Sequence, residues 1–90
     1  MSAQPRRALR TDDNQVEIIR ALRKCGVAVE VIGQPVDLLC CVRGVLHLVE
    51  VKAQGGSLTK AQVEFIARWP SQIHIVRSPE EAIACLIPNF

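Results

Sequence analysis

Residues 36–52 decide the fold, and their sequence is VDLLCCVRGVLHLVEVK. Two apolar runs, residues 36–42 and 45–52, flank the dipeptide Arg43-Gly44. Runs rich in Val and Leu on either side of a glycine-containing dipeptide predict two antiparallel strands joined by a tight turn. Because both runs are apolar on both faces apart from isolated charged residues, we expect central strands of a sheet that helices cover on both sides.

The tight turn predicts which residues face each other across the two strands. If Val42 pairs with Val45, then Asp37 lies opposite Glu50 on the same face of the sheet. Directly opposed side chains have Cβ atoms about 4.5–5.5 Å apart, and like charges at that distance are destabilising. A divalent cation between the carboxylates removes the conflict, and Mg²⁺ prefers oxygen ligands of this kind. We therefore interpret Asp37 and Glu50 as a candidate metal site.

Lys52 follows Glu50 by two residues and should point to the same face of the sheet. In a hydrolytic site it could orient the attacking water or stabilise negative charge on a phosphate. The alternative is an ion pair of Lys52 with Asp37 or Glu50 and no metal. Glu-x-Lys alone is common, but its register with Asp37 favours the site.

The rest of the chain predicts three helices and two more strands. Residues 1–10 are polar and basic, and we expect a flexible tail followed by a single domain over residues 11–90. Apolar residues at helical spacing, capping residues and β-branched runs give an α/β fold of order αβββαβα. The predicted helices span residues 11–25, 58–69 and 78–86, and the predicted strands span residues 27–32, 36–42, 45–52 and 73–76.

Composition narrows the function classes. The net charge of +2 is weak, but six of the eleven cations lie in the first 24 residues, where they could attract phosphate or could simply be solvated. The only aromatic residues are Phe65, Trp69 and Phe90, which predicts an aliphatic core and argues against a base-stacking platform.

The four cysteines and the hydropathy suggest a compartment. The cysteines include no C-x-x-C pair, which argues against a zinc site, and we expect free, buried, structural thiols. No apolar run is long enough for a membrane span or a signal peptide. These features predict a cytoplasmic protein without a membrane partner.

Other polar residues have two interpretations each. Gln15 shares the inward helical spacing of the first helix, and Gln62 lies one turn before the apolar Ile66. Each could be a boundary residue or part of the site. His47 should lie on the face opposite Glu50, and His74 lies between two isoleucines, so we expect both histidines to be structural.

The residues around the candidate site resemble a known family. Pro35-Val36-Asp37 and Glu50-Val51-Lys52, with twelve residues between Asp37 and Glu50, resemble the PD-(D/E)XK phosphodiesterase signature. Over residues 11–87 the chain resembles the small phage and prophage nucleases of the VRR-NUC (virus-type replication-repair nuclease) group, which are relatives of Holliday-junction resolvases. The supporting pieces are residues 13–15, 22–26, 37–39, 43–44, 48–52, 58–62 and 76–78.

The resemblance implies a restriction-endonuclease-like core, in which helices flank a mixed four-stranded sheet, and Mg²⁺ or Mn²⁺ as cofactor. Asp37, Glu50 and the carbonyl of Val51 would be the metal ligands, and Lys52 the catalytic lysine. Gln15 and Gln62 match polar positions of the family's two helices. Gln15 departs from the pattern, since relatives often carry Glu there, and a valine separates Pro35 from Asp37.

The expected function is a structure-selective DNA endonuclease acting on branched, flap or junction DNA. The resemblance implies a phage- or prophage-encoded protein of replication or repair in the cytoplasm of a bacterial host. A domain this small favours recognition of DNA backbone and shape, and it favours a homodimer because cutting both strands needs two sites. One alternative is a non-catalytic DNA-binding or assembly module that retains the nuclease fold. Another is a nuclease directed at RNA.

Overall fold

A computed structural model describes residues 13–89 of the chain. Within them three helices and four strands follow each other in the order αβββαβα, which confirms the predicted α/β fold. The predicted basic tail (residues 1–10), the predicted helix start at Thr11 and the last residue, Phe90, lie outside the described residues. The elements are α1 (Asp13–Lys24), β1 (Ala28–Val31), β2 (Leu38–Val42), β3 (Val45–Val51), α2 (Lys60–Arg68), β4 (Ile73–Val76) and α3 (Pro79–Leu86).

The four strands form one mixed sheet in the order β1-β2-β3-β4. β1, β2 and β3 pair antiparallel, and β4 adds parallel to β3. β2 and β3 are therefore the central strands, as predicted. Their register runs from Val42 opposite Val45 to Leu38 opposite Val49, which confirms the pairing predicted from the turn.

The turn between β2 and β3 has the backbone conformation that a two-residue hairpin requires. Arg43 and Gly44 have φ angles of 51° and 81°. Positive φ at both central residues matches the right-handed twist of the flanking strands, so the hairpin closes without splaying them. This turn fixes the register of β2 with β3, and the same register continued by one pair sets Asp37 opposite Glu50.

The hydrophobic core lies on one face of the sheet, which we call the core face. Both α1 and α3 contribute buried side chains to it, and the sheet contributes alternate residues of each strand. The opposite face, which we call the site face, carries Glu50 and is approached by α2. Helices were predicted on both faces of the sheet. No residue of α2 is buried, so the helix on the site face packs less deeply than α1 and α3 do on the core face. The core residues are Ile18, Leu22, Val27, Val29, Leu38, Cys40, Val49, Val51, Val76, Ala82, Leu86 and Ile87.

β1, β2 and β3 are shorter than predicted, whereas β4 has the predicted bounds. β2 begins at Leu38 and not at residue 36, because the Asp37 carbonyl accepts bonds from the N–H groups of Ile32 and Gly33 (2.9 and 3.2 Å). The connection from β1 thus turns back on Asp37 and stops the ladder there. Val36 is nevertheless buried at 2% exposure.

The helix ends follow local signals. Gly26, with φ of 89°, ends α1, and the N–H groups of Gly26 and Val27 bond the carbonyls of Arg23 and Leu22, both at 3.0 Å. This bonding pattern is a Schellman motif, and glycine adopts its left-handed conformation without a steric penalty. The predicted Ser78 cap of α3 is confirmed, with Pro79 at the first helical position.

In residues 13–89 none of the helices combines the length and the apolar character needed to cross a membrane.

Candidate metal centre

Asp37 is fixed by both its backbone and its side chain. Its carbonyl closes the connection from β1, and its carboxylate oxygen Oδ2 accepts a hydrogen bond from the N–H of Val51 at 2.8 Å. The carboxylate therefore takes the position that a backbone carbonyl would have if the β2–β3 ladder continued. Asp37 directly precedes β2, and β2 pairs with β3. This position in the sequence therefore directs the Asp37 side chain toward the end of β3.

Glu50 lies on the site face of β3 and is only 3% exposed. Its Oε2 atom accepts a hydrogen bond from Nε2 of Gln62 at 2.7 Å and lies 3.7 Å from Nζ of Lys52. The register that joins Leu38 to Val49 directs Asp37 toward Glu50. The structure therefore brings together four of the predicted residues, Asp37, Glu50, Lys52 and Gln62.

The electrostatics of Glu50 reflect two close carboxylates with little compensating charge. Its pKa is raised from an ordinary 4.5 to about 7, first by burial and then by the charge of Asp37. The charge of Lys52 acts in the opposite direction and lowers the pKa. One lysine thus does not balance the pair, and the missing positive charge is what a divalent cation would provide.

Gln62 connects this pair of carboxylates to the start of α2. Its Oε1 atom accepts a hydrogen bond from the N–H of Thr59 at 2.8 Å, while its Nε2 atom donates to Glu50. The Thr59 hydroxyl accepts in return from the Gln62 N–H at 3.2 Å, which completes a capping box. Gln62 therefore orients Glu50 through its amide nitrogen, and its amide oxygen is already used by the helix cap.

The donor set suits a hard cation. No three His, Cys, Asp or Glu side chains within residues 13–89 lie close enough together to hold a metal. Asp37 and Glu50 provide two carboxylates, and Mg²⁺ is commonly held by one or two carboxylates together with water and substrate phosphate. The carbonyl of Val51 points to the same side of β3 as its N–H, toward Asp37. These three groups fit the ligand set that the resemblance implies.

Gln15 is buried at 8% exposure on α1, as its inward spacing predicted. Within the described part of the chain, however, no hydrogen bond joins it to Asp37, Glu50 or Lys52. Its neighbour Asn14 makes the connection that the sequence analysis missed. Nδ2 of Asn14 donates to the carbonyls of Lys52 (2.9 Å) and Arg77 (3.1 Å) and so joins the ends of β3 and β4 to α1.

Asn14 lies in the first turn of α1, where a polar residue is ordinary at a helix start, so no local pattern indicates its tertiary role. Its Oδ1 atom is buried and has no partner among the described residues. Arg77 holds the loop after β3, because its Nη2 donates to the carbonyl of Gly56 at 2.8 Å. The backbone that carries Lys52 is thus held from two sides.

Both histidines lie on the face of the sheet opposite the carboxylates, as the strand alternation predicted for His47. Nδ1 of His47 and Nε2 of His74 are 3.1 Å apart, and both residues point to the core face of the sheet. Burial and the charge of His47 lower the pKa of His74. The sequence predicts structural histidines, but no pattern in it indicates that His47 and His74 pair with each other.

The cysteines match the prediction only in part. All four are free, but only Cys40 is buried, where burial raises its pKa to about 11. Cys25 and Cys41 are half-buried, and Cys85 is exposed on α3, because its position falls on the outer side of that helix. The expectation of four buried thiols was therefore wrong for Cys85.

The basic residues of α1 border a shallow groove. Three of the six N-terminal cations, Arg6, Arg7 and Arg10, lie outside the described residues. The other three, Arg20, Arg23 and Lys24, line a depression of about 550 Å³ together with Val16 and Ile19. This groove is separate from the carboxylate pair, since none of its lining residues contacts Asp37 or Glu50 through a hydrogen bond or ion pair in residues 13–89.

Comparison with known proteins found no family model, no curated protein and no solved structure that matches this chain.

Proposed function

We propose that this protein is a metal-dependent endonuclease that hydrolyses DNA phosphodiester bonds. The observation that carries the proposal is the convergence of Asp37 and Glu50 at the ends of β2 and β3, with Lys52 beside them. Two acids that face each other at the end of an apolar strand pair are destabilising by themselves, so a structural role does not explain them. The resemblance of residues 11–87 to the VRR-NUC group supports the same function.

Asp37, Glu50 and the carbonyl of Val51 would hold Mg²⁺ or Mn²⁺. When bound, the ion would lower the pKa of a water molecule and polarise the scissile phosphate. Lys52 contributes a positive charge near Glu50, where it can stabilise negative charge that develops on the phosphate. Gln62 holds Oε2 of Glu50 and so limits the rotation of this carboxylate.

The proposed substrate is branched, flap or junction DNA, and the proposed assembly is a homodimer. The described residues form one four-stranded sheet with three short helices, an architecture that favours contacts to phosphate and shape over base readout. One site cuts one strand, so a second copy would supply the cut in the other strand. We further propose that the protein is phage- or prophage-encoded and works in the bacterial cytoplasm, on the resemblance alone.

Cleavage of forked, flap and supercoiled DNA with Mg²⁺ or Mn²⁺ tests the nuclease function, with RNA of the same sequence alongside. We expect Glu50→Gln to lower the cleavage rate by a factor on the order of 10² or more, because it removes a charged ligand. Glu64→Gln is the matched control, since Glu64 is an exposed acid of α2. Equal rates for wild type and Glu50→Gln would refute a catalytic role of this pair.

The neutral Gln15 and the presence of only two carboxylates favour the second candidate, a DNA-binding module that retains the fold. Thermal unfolding with Mn²⁺ separates the two. A nuclease site should raise Tm as Mn²⁺ rises, since a ligand that binds only the folded state stabilises it. Asp37→Asn should abolish the rise while its amide oxygen still accepts from Val51. Intact DNA binding without a Mn²⁺ response would support the binding module.

A further inference from the structure

The C-terminal end of α2 carries a cluster of two aromatic rings and one cation, which we call the aromatic cluster (Phe65, Arg68 and Trp69). The rings of Phe65 and Trp69 are stacked, with centroids 5.2 Å apart and an angle of 30°. The guanidinium carbon of Arg68 lies 5.1 Å from the centroid of the Phe65 ring. Phe65 is therefore engaged by both neighbours, whereas Trp69 remains 40% exposed. The small number of aromatic residues argued against a stacking platform, but Trp69 has the exposed ring that such a platform requires.

Gln62 joins the helix that bears the aromatic cluster to the carboxylates. Gln62, which bonds Glu50, is three residues before Phe65 and seven before Trp69, so all three share one side of the helix. The Trp69 N–H caps α2 by bonding the carbonyls of Phe65 and Ile66. Seven residues of helix rise about 10 Å. That length corresponds to roughly three base steps of a DNA strand.

The charges and side chains around the aromatic cluster favour a nucleobase as the group that stacks on Trp69. The exposed cations Lys60 and Arg68 lie at the two ends of α2, with the single acid Glu64 between them, and Lys52 lies beside Glu50. Proteins that bind single strands combine cations that follow the backbone with aromatic rings on which bases stack. The bases of an intact duplex are already stacked on each other, so a ring of this kind selects DNA with an unpaired base.

We infer that Trp69 is a stacking platform for an unpaired base of the DNA substrate, about three nucleotides from the bond that is cut. The inference rests on the proposed function for its substrate class. It assigns to α2 the recognition of branched DNA, because a base leaves the duplex stack at a fork or flap. Phe65 and Arg68 are then positioning residues that hold the indole ring.

Trp69 is the only tryptophan and the chain has no tyrosine, so its fluorescence reports this one position. The experiment titrates the full chain with a forked DNA and with a blunt duplex of the same number of phosphates. It is done with wild type in EDTA and with Glu50→Gln in Mg²⁺, so that cleavage does not intervene. We expect the fork to quench the fluorescence strongly and to bind about tenfold more tightly than the duplex.

Three variants complete the test, each checked for cooperative unfolding. Trp69→Leu should lose the preference for the fork, Trp69→Phe should keep part of it, and Val63→Ala, at an exposed position of α2, should keep all of it. Equal quenching by fork and duplex, or an unchanged fork preference in Trp69→Leu, would overturn the inference. If Trp69→Leu does not fold, two measurements still test the inference. These are the quenching of wild-type fluorescence by fork and by duplex, and the affinities of Trp69→Phe for the two DNAs.

The same samples distinguish this inference from the nuclease proposal. Cleavage without fork-selective quenching would support the nuclease proposal and refute base stacking on Trp69. Fork-selective quenching without cleavage would leave the platform, on a DNA-binding module. If both hold, wild type should cut about three nucleotides from the branch point, and Trp69→Leu should cut at scattered positions.

Discussion

At the scale of single residues, the protein is organised around Glu50, an acid with 3% exposure in the middle of a small domain. Asp37 adds a second negative charge, and Lys52 and Gln62 compensate only part of it. The opposition of Asp37 and Glu50 could be predicted because a two-residue turn fixes the register of a hairpin. The Gln62 bond could not, since it depends on where α2 comes to lie against the sheet.

The raised pKa of Glu50 predicts how the metal-free protein responds to pH. Its folded-state pKa of about 7 lies above the ordinary 4.5, so between these values the folded state binds a proton that the unfolded state has lost. Stability therefore falls as pH rises through this window. Urea unfolding in EDTA measures this effect. From pH 5 to pH 8 the free energy of unfolding of wild type should fall by on the order of 2 kcal/mol more than that of Glu50→Gln. Glu64→Gln should follow wild type, and parallel profiles for wild type and Glu50→Gln would contradict the prediction.

At the scale of elements, α2 is the least secured part of the described fold. It has nine residues, none of them buried, whereas α1 and α3 both contribute to the hydrophobic core. Helices this short are marginal without external support. Its capping box and the bond from Gln62 to Glu50 are therefore a large part of what holds it to the site face.

Removing the cap should loosen α2 and Glu50 together. We expect Thr59→Ala to lower the free energy of unfolding by about 1 kcal/mol, because the N–H of Gln62 loses its acceptor. Thr59→Ser keeps the hydroxyl and should restore most of the loss. Urea denaturation at constant pH measures both variants. A Thr59→Ala stability equal to that of wild type would mean that the cap contributes nothing to this helix.

At the scale of the whole molecule, the two faces of the sheet are covered unequally. α1 and α3 bury the core face, but the site face keeps Leu46 at 67% exposure, directly opposite the half-buried Cys41. Leu46 and Cys41 form an apolar strip, which lies along β2 between Leu39, the partner of Glu30, and the turn residue Arg43. Arg43 and Glu30 have opposite charges and form no ion pair within residues 13–89. An apolar strip with both charge signs nearby can complement a second copy of itself.

We therefore predict that the proposed homodimer forms through this strip. Leu46→Glu should weaken dimerisation more than tenfold, because burying a leucine contributes about 1.5–3 kcal/mol. Sedimentation equilibrium measures the change, and Val63→Glu, with Val63 51% exposed on α2, is the control. In wild type, raising the concentration should protect Cys41 from a thiol reagent and leave the exposed Cys85 reactive. A monomer at all concentrations, or equal dimerisation of both variants, would contradict the prediction.

The sequence by itself determined the order of the elements, the cap of α3 and the register of β2 with β3, and therefore that Asp37 faces Glu50. These features depend on backbone preferences and spacing over a few residues, which are visible in the chain. The tertiary structure alone decided the bond of Gln62 to Glu50, the Asn14 link between two strand ends, the pairing of His47 with His74 and the exposure of Trp69. Each of these joins or exposes residues far apart in sequence, so it follows from how the helices pack on the sheet and from no local pattern.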